Sequence, residues 1–233
     1  RGSTVRFQKI GKGSASTKSR NGQITPMELT HTTVDVTMED HYAAEYIDKL
    51  DEIKTNIDER QAIAKSEAGA LGRKTDEILI TAMDSGANST QIHDTSSAIE
   101  KADVLALFEQ FGVADIPEDG GRYVAMNPKG FADLYAINEF ASADFVGEAN
   151  LPFAGGMTAK NFLGFMFFSS SSVTAGKNMA YQTSAVGLGI GADVTTELNY
   201  IPERVSHLAT SMMSMGAVVI DDNGVYEFLD NNT

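Results

Sequence analysis

The 233-residue sequence contains no cysteine. That excludes disulfides, thiolate nucleophiles and cysteine-ligated metals, and it leans weakly towards a reducing compartment. Long apolar runs are missing too. The longest, Phe162 to Phe168, falls far short of the roughly 20 residues that span a bilayer, so no membrane helix is expected. No signal peptide is visible, and the chain begins at Arg1 rather than Met, which reads as a processed or truncated product. Carboxylates are absent from the whole of the first segment. Residues 1–27 carry Arg1, Arg6, Lys9, Lys12, Lys18 and Arg20 and no acid, whereas the whole chain has 32 acids against 18 bases and a net charge of −14.

A small basic segment on an acidic body points to association with further copies of the chain. The body repels nucleic acid, and six basic residues make a poor DNA-binding module. The hydrophobic share of 42% is near the globular average, so the chain folds rather than staying disordered.

Period-two alternation at Val5-Arg6-Phe7 and over Thr32–Met38 predicts two strands, with Val34, Val36 and Met38 on one face. Between them Gly11–Gly22 is rich in glycine and hydroxyls, the composition of a flexible tip. A lone hairpin is marginal in water and needs a surface to rest on. Ala43, Tyr46, Ile47, Leu50 and Ile53 follow at helical spacing. Asn56 with Glu59 reads as the cap of a longer helix running to about Met83, with Ile57, Ala64, Leu71 and Ile78 every seven residues and Ala68 and Ala82 on the same side. Asp84–Asn88 ends it.

Residues 97–202 read as a mixed α/β unit. Ser97 with Glu100 caps a helix bearing Ile99, Ala102, Leu105 and Phe108, closed by Gly112. Tyr123–Met126 is a strand, and Asn127-Pro128 opens a helix carrying Phe131 and Leu134. Asn161–Ser169, Met179–Ile190, Val194–Tyr200 and Arg204–Ile220 read as strands. Asp222-Asn223-Gly224 then predicts a hairpin turn into Val225–Leu229.

Candidate chemistry is thin. His31, His41, His93 and His207 show no zinc-ligand spacing. His41 reads as a helix-start residue, His93 as a loop residue and His207 as a core or interface residue of a strand. Gly187-Leu188-Gly189-Ile190-Gly191 lacks the spacing and following helix of a dinucleotide loop. One bare face opposite branched side chains instead predicts close approach of another segment. Ser169–Ser172 has no nucleophile elbow around it and reads as a strand end. Asn88-Ser89-Thr90 matches a glycosylation sequon, of consequence only in a secreted protein. Met212, Met213 and Met215 read as core filler, and Asp48, Asp51, Glu52, Asp58 and Glu59 as a solvated helix face. No catalytic, cofactor or metal residue is assigned, so no enzyme activity is expected.

The layout as a whole resembles the major capsid protein of tailed bacteriophages, the Hong Kong 97-type fold, nearest to short-tailed phage coat proteins. The resemblance is carried by Val34-Asp-Val-Thr-Met-Glu-Asp-His-Tyr with Tyr46-Ile-Asp-Lys-Leu and Lys74-Thr-Asp-Glu-Ile-Leu. Further matches are Tyr123-Val-Ala-Met-Asn-Pro-Lys-Gly-Phe-Ala-Asp-Leu, Asn161-Phe-Leu-Gly-Phe-Met-Phe-Phe-Ser-Ser, and Asn199-Tyr-Ile-Pro-Glu-Arg-Val-Ser-His-Leu with Met215-Gly-Ala-Val-Val-Ile. No single motif is specific; their order across the chain is.

The resemblance implies an α+β capsid fold in four parts. Residues 1–39 would be an extended segment and E-loop, with the loop over 4–38, and 40–96 a peripheral domain with a spine helix over 57–83. Residues 97–202 would be an axial α/β domain, and 203–233 strands returning to the periphery. By the resemblance, the family's N-terminal arm would be short or missing here, as if a leading segment had been cleaved.

By the same resemblance Arg6, Lys9, Lys12, Lys18 and Arg20 on the E-loop would contact a neighbouring subunit. The partners implied are copies of the chain in hexamers and pentamers, packaged double-stranded DNA without sequence-specific binding, and scaffolding, portal or decoration proteins, with no membrane. The location implied is the virion, assembled in host cytoplasm. Some members crosslink subunits through Lys–Asn bonds, but no motif marks a donor among these lysines. Two other readings stand beside this one: an encapsulin-like compartment shell and a soluble α/β hydrolase.

Overall fold

The computed structural model describes residues 2–54, 58–92, 97–141 and 159–230. The alternating N-terminal segments form two strands, β1 (Thr4–Ile10) and β2 (His31–Thr37). They pair antiparallel from Thr4↔Thr37 to Ile10↔His31. Residues 11–30 form the tip of this hairpin, without helix or strand. Val5, Phe7, Val34 and Val36 turn to one face, and Val36 is buried.

The stripe from Ala43 to Ile53 is mostly not a helix. Glu39–Asp48 is a strand, β3, and only the short α1 (Lys49–Lys54) follows. Ala43 and Ile47 satisfy a two-residue period as well as a helical one. A six-to-ten-residue helix is marginal by itself, whereas a strand here gains a complete ladder, from Glu39↔Met215 to Asp48↔Ser206.

The long helix is present as α2 (Glu59–Gly86), 28 residues and about 42 Å at 1.5 Å per residue. Its cap is Asp58, which accepts from the Gln61 amide at 3.2 Å; the expected cap Asn56 and the heptad residue Ile57 lie outside the described residues. Leu71, Ile80 and Met83 are buried and Ala64, Ile78 and Ala82 half-buried, but Ala68 is exposed. Glu67 takes the buried position beside it.

The helix lies across a three-stranded sheet in the order β3-β10-β9, where β9 is Val186–Ile201 and β10 is Ser206–Val219. Met213 and Met215 pack under Leu71, as expected of core methionines, while Met212 is half-buried on the opposite face.

The second sheet has six strands in the order β4-β11-β8-β5-β7-β6. They are β4 (Asn88–Ile92), β5 (Arg122–Met126), β6 (Lys160–Phe162), β7 (Phe165–Ser169), β8 (Lys177–Gln182) and β11 (Val225–Leu229). Helices α3 (Lys101–Val113), α4 (Pro128–Leu134) and α5 (Asn138–Ala141) pack against it. Asn127 caps α4 with Pro128 in its first turn, as the sequence predicts. The start of α3 differs. Glu100 is its N-cap, and Asp103 accepts from the Glu100 amide at 2.6 Å. Val104, Leu107 and Phe111 therefore face the core, while Leu105 and Phe108 are exposed.

Three strand expectations also change. Asn161–Ser169 folds back at Leu163-Gly164, both with positive φ, so β6 and β7 are a tight hairpin. Met179–Ile190 is broken by a 3-10 turn at Thr183–Ala185, which carries the chain from the six-stranded sheet into the three-stranded one. Asp222–Gly224 is a second such turn rather than a hairpin, because β11 pairs with β4 and β8 and not with β10. The two crossings touch: the Ile220 amide donates to Ala185 O at 2.7 Å. In terms of the expected segments, β4 and β11 lie in the six-stranded sheet and β9 in the three-stranded one.

Two polar devices hold the six-stranded unit. Arg122 is buried between the rings of Phe111 and Phe165 and donates to Ile116 O and Pro117 O. Asp230, fully buried, accepts from Asn178 Nδ2 at 2.8 Å and Asn127 Nδ2 at 3.1 Å, tying the last strand to the start of α4.

Candidate functional site: the basic hairpin and its seat

The basic residues of the first segment divide into two groups. Arg6 forms a bidentate pair with Asp35 across the hairpin, at 2.6 and 2.8 Å. This hydrogen bond raises the Arg6 pKa and lowers that of Asp35. Lys9 reaches Asp221 at 2.9 Å and Asp222 at 3.7 Å. Partial burial alone would raise the Asp221 pKa, but hydrogen bonds from Lys9 and Asn223 outweigh it, and the net direction is down. Lys12 donates to Ala114 O and Asp115 O, at the end of α3 where the helix dipole is negative. Further out, Lys18 donates to the Gly22 carbonyl, at 3.4 Å. Among the described residues neither Lys18 nor Arg20 has a carboxylate partner.

Exposed ion pairs contribute only about 0–1 kcal/mol each, so the hairpin needs a better anchor. The alternating glycines supply it. A Cβ on Gly187 would fall 2.8 Å from the Phe7 ring, and one on Gly189 would fall 3.2 Å from both Val5 and Val36. One on Gly191 would fall 2.7 Å from Met38 Sδ. On the adjacent strand, a Cβ at Gly216 would lie 2.5 Å from the Thr37 carbonyl oxygen. The close approach expected at Gly187–Gly191 is thus real, and the approaching segment is the chain's own hairpin stem. Gly216 was not singled out in the sequence, where it is one isolated glycine in a long strand. Asp221 and Asp222 were read only as turn residues; nothing local marks them as partners of Lys9.

The remaining candidates disperse. His31 begins β2, and His41 sits in β3 rather than at a helix start. Its Nε2 is buried without a hydrogen-bond partner among the described residues, beside an open cleft of about 340 Å³ lined by Glu39, Lys74 and Glu77. His207 lies in β10 against Tyr200, with ring centroids 5.2 Å apart, and His93 is outside the described residues. Asp48 belongs to β3 and accepts from the Leu50 amide at 2.7 Å, so it caps α1 rather than joining a helix face. Ser169 ends β7, and Ser170 Oγ accepts from the Ser172 amide, a strand end as expected. Glu67 was missed. It accepts from Ser211 Oγ at 2.8 Å, Ser211 in turn meets Thr196, and the second Glu67 oxygen is buried without a partner among the described residues. Among the described residues no group of three or more His, Asp or Glu is placed to hold a metal.

What the geometry defines is a body with an arm seated on it. Solved capsid structures share the chain's fold. The chain superposes on the capsid of cyanophage P-SCSP1u with a TM-score of 0.79 at 18% identity, covering 100% of this chain and 85% of that one. For Mycobacterium phage Che8 the TM-score is 0.75 at 18% identity, covering 98% and 85%. For the mature capsid of bacteriophage PhiM1 it is 0.69 at 11% identity, covering 100% and 83%. No curated protein sequence matches the chain.

The model of the phage capsid protein family matches residues 1–229, and the chain belongs to that family. It is a structural major capsid protein with the major capsid fold, a component of the virion. Neither the enzyme-compartment reading nor the hydrolase reading is favoured.

Proposed function

We propose that many copies of this chain, as hexamers and pentamers, close into an icosahedral shell around a double-stranded DNA genome. The role is structural and not enzymatic, and assembly takes place in the host cytoplasm with scaffolding, portal or decoration proteins as further partners. Residues 4–38 act as the E-loop and lie over a neighbouring subunit, with Arg6, Lys9, Lys12, Lys18 and Arg20 along the contact. Residues 97–202 act as the axial domain around the symmetry axes, joined by β4 and β11, while β9 runs out into the sheet of the peripheral pieces at 40–96 and 203–233. Packaged DNA meets a subunit of net charge −14, which suits filling and release better than tight binding.

The observation that carries this reading is the distribution of charge along the hairpin. Arg6, Lys9 and Lys12 are paired within the chain, which stiffens the stem, whereas Lys18 and Arg20 at the tip are left for a partner. Changing Lys18 and Arg20 together to Glu is expected to abolish particles while circular dichroism and the thermal transition of the subunit stay as in the wild type. Normal particle yield from that double variant would refute the role given to the loop.

A further inference from the structure

Asn-Gly occurs twice in the sequence, at Asn21-Gly22 and at Asn223-Gly224. The dipeptide is chemically weak, because glycine has no Cβ to shield its amide nitrogen from the asparagine side chain. The two copies stand in opposite surroundings. Asn21 lies exposed at the hairpin tip with a φ of 66°. Its side-chain amide makes no hydrogen bond among the described residues. The Gly22 amide donates to Ser19 O at 2.9 Å, closing a turn in a segment without helix or strand, the kind of structure that opens at little cost. Lys18 reaches the Gly22 carbonyl at 3.4 Å, Arg20 adjoins, and residues 1–27 carry no acid. Neighbouring positive charge favours loss of the Gly22 amide proton.

Asn223 is tied down instead. Its backbone amide and its Nδ2 both donate to Asp221 Oδ1 at 3.2 Å. Gly224 is buried, its amide donates to Asp221 O at 3.1 Å, and a Cβ on it would fall 2.6 Å from Ala185 Cβ. Two carboxylates, Asp221 and Asp222, share the cation of Lys9 there, so a further anion is disfavoured.

We propose that Asn21 is a site of spontaneous deamidation in the unassembled subunit, and that the fold protects Asn223 from the same reaction. The Gly22 nitrogen gives its proton to hydroxide and bonds to Asn21 Cγ. The Cγ–Nδ2 bond breaks, and ammonia leaves with a proton taken from water. Water then opens the cyclic imide, at Cγ to give aspartate or at the main-chain carbonyl to give isoaspartate, with no change of oxidation state. Either product sets the first carboxylate of residues 1–27 beside Lys18 and Arg20. The consequence for assembly rests on the shell reading above: those cations are then partly satisfied within their own chain and hold a neighbour less well.

To test this, the purified subunit is held in mildly alkaline heavy-oxygen water, digested and mapped by mass spectrometry. Solvent oxygen is expected at residue 21 as a mixture of isoaspartate and aspartate. It should accumulate roughly tenfold or more faster than at residue 223, where a hydrogen-bonded and buried turn must open first. The gap should narrow in urea, and Gly22→Val should slow the reaction at residue 21 by crowding the attacking nitrogen. No heavy oxygen at residue 21, equal rates at the two positions, or a gap that urea leaves unchanged would overturn the proposal. Particle yield reads the consequence: Asn21→Asp should fall below the wild type and Asn21→Gln should match it. Full yield from Asn21→Asp would overturn that consequence while the shell stands. Failure of the unmodified chain to form particles would overturn the shell reading itself.

Discussion

Gly216→Ala places one methyl group where the hairpin meets the sheet. The added Cβ would lie 2.5 Å from Thr37 O, 3.2 Å from Thr37 C and 3.0 Å from Val36 Cγ2. Two of those three atoms are backbone, so no rotamer change relieves the clash. Overpacking of this kind costs about 1–3 kcal/mol. The sheet will not be what yields, because β10 is paired on both edges and covered by α2. The hairpin stem is held by a few apolar side chains and by partly or fully exposed ion pairs, so it lifts first.

At about 1.4 kcal/mol per tenfold, hydrogen-exchange protection over Thr4–Ile10 should fall roughly 5- to 150-fold in the unassembled subunit. Protection over Leu208–Met213 should hold. Gly72→Ala serves as a control of opposite sign, since nothing lies within 4 Å of its added Cβ in the middle of α2. It should stabilise the subunit by about 0.5–1 kcal/mol and leave the hairpin unchanged. Wild-type protection of Thr4–Ile10 in Gly216→Ala, or an equal loss in Gly72→Ala, would refute the seat.

Other expectations follow from the same contacts. Asp230→Ala strips two buried amide donors of their shared carboxylate and should lower stability by about 2–4 kcal/mol in urea titration; a loss below about 1 kcal/mol would show that the clamp is slack. The lowered pKa of Asp221 makes its pairing with Lys9 a source of stability above the ordinary carboxylate value near 3.9. That contribution is lost as pH falls below it, so exchange protection at Lys9 and Ile10 should drop in acid, and Asp221→Asn should show no such step. A titration in which Asp221→Asn and wild type respond alike would remove the pair from the account.

The long helix was legible because its lack of proline and its seven-residue apolar recurrence agree locally, though its cap is Asp58. Strand β3 was not. Ala43 and Ile47 fit both periods, and the decision lay with their partners Ser211 and His207 in β10, distant in sequence. The start of α3 turned on which acid closes the cap, and choosing Ser97 over Glu100 shifted the buried face off Val104, Leu107 and Phe111. A turn such as Asp222-Asn223-Gly224 specifies a reversal but not which sheet the chain enters next, so β11 was paired with the wrong strand. The glycine alternation announced close approach because a bare strand face has few other uses, yet it could not name Phe7, Val5 and Val36 as the visitors. Glu67 left no signal, since a glutamate in a helix is ordinary until the strand above it is known.

The central claim is that this subunit of 25.0 kDa is built to assemble with copies of itself. Sedimentation and electron microscopy of the purified full-length chain test it most directly. The account expects closed hollow particles of uniform size that loosen as salt screens the tip contacts. A species that stays at the monomer mass at all concentrations and salt conditions would contradict it.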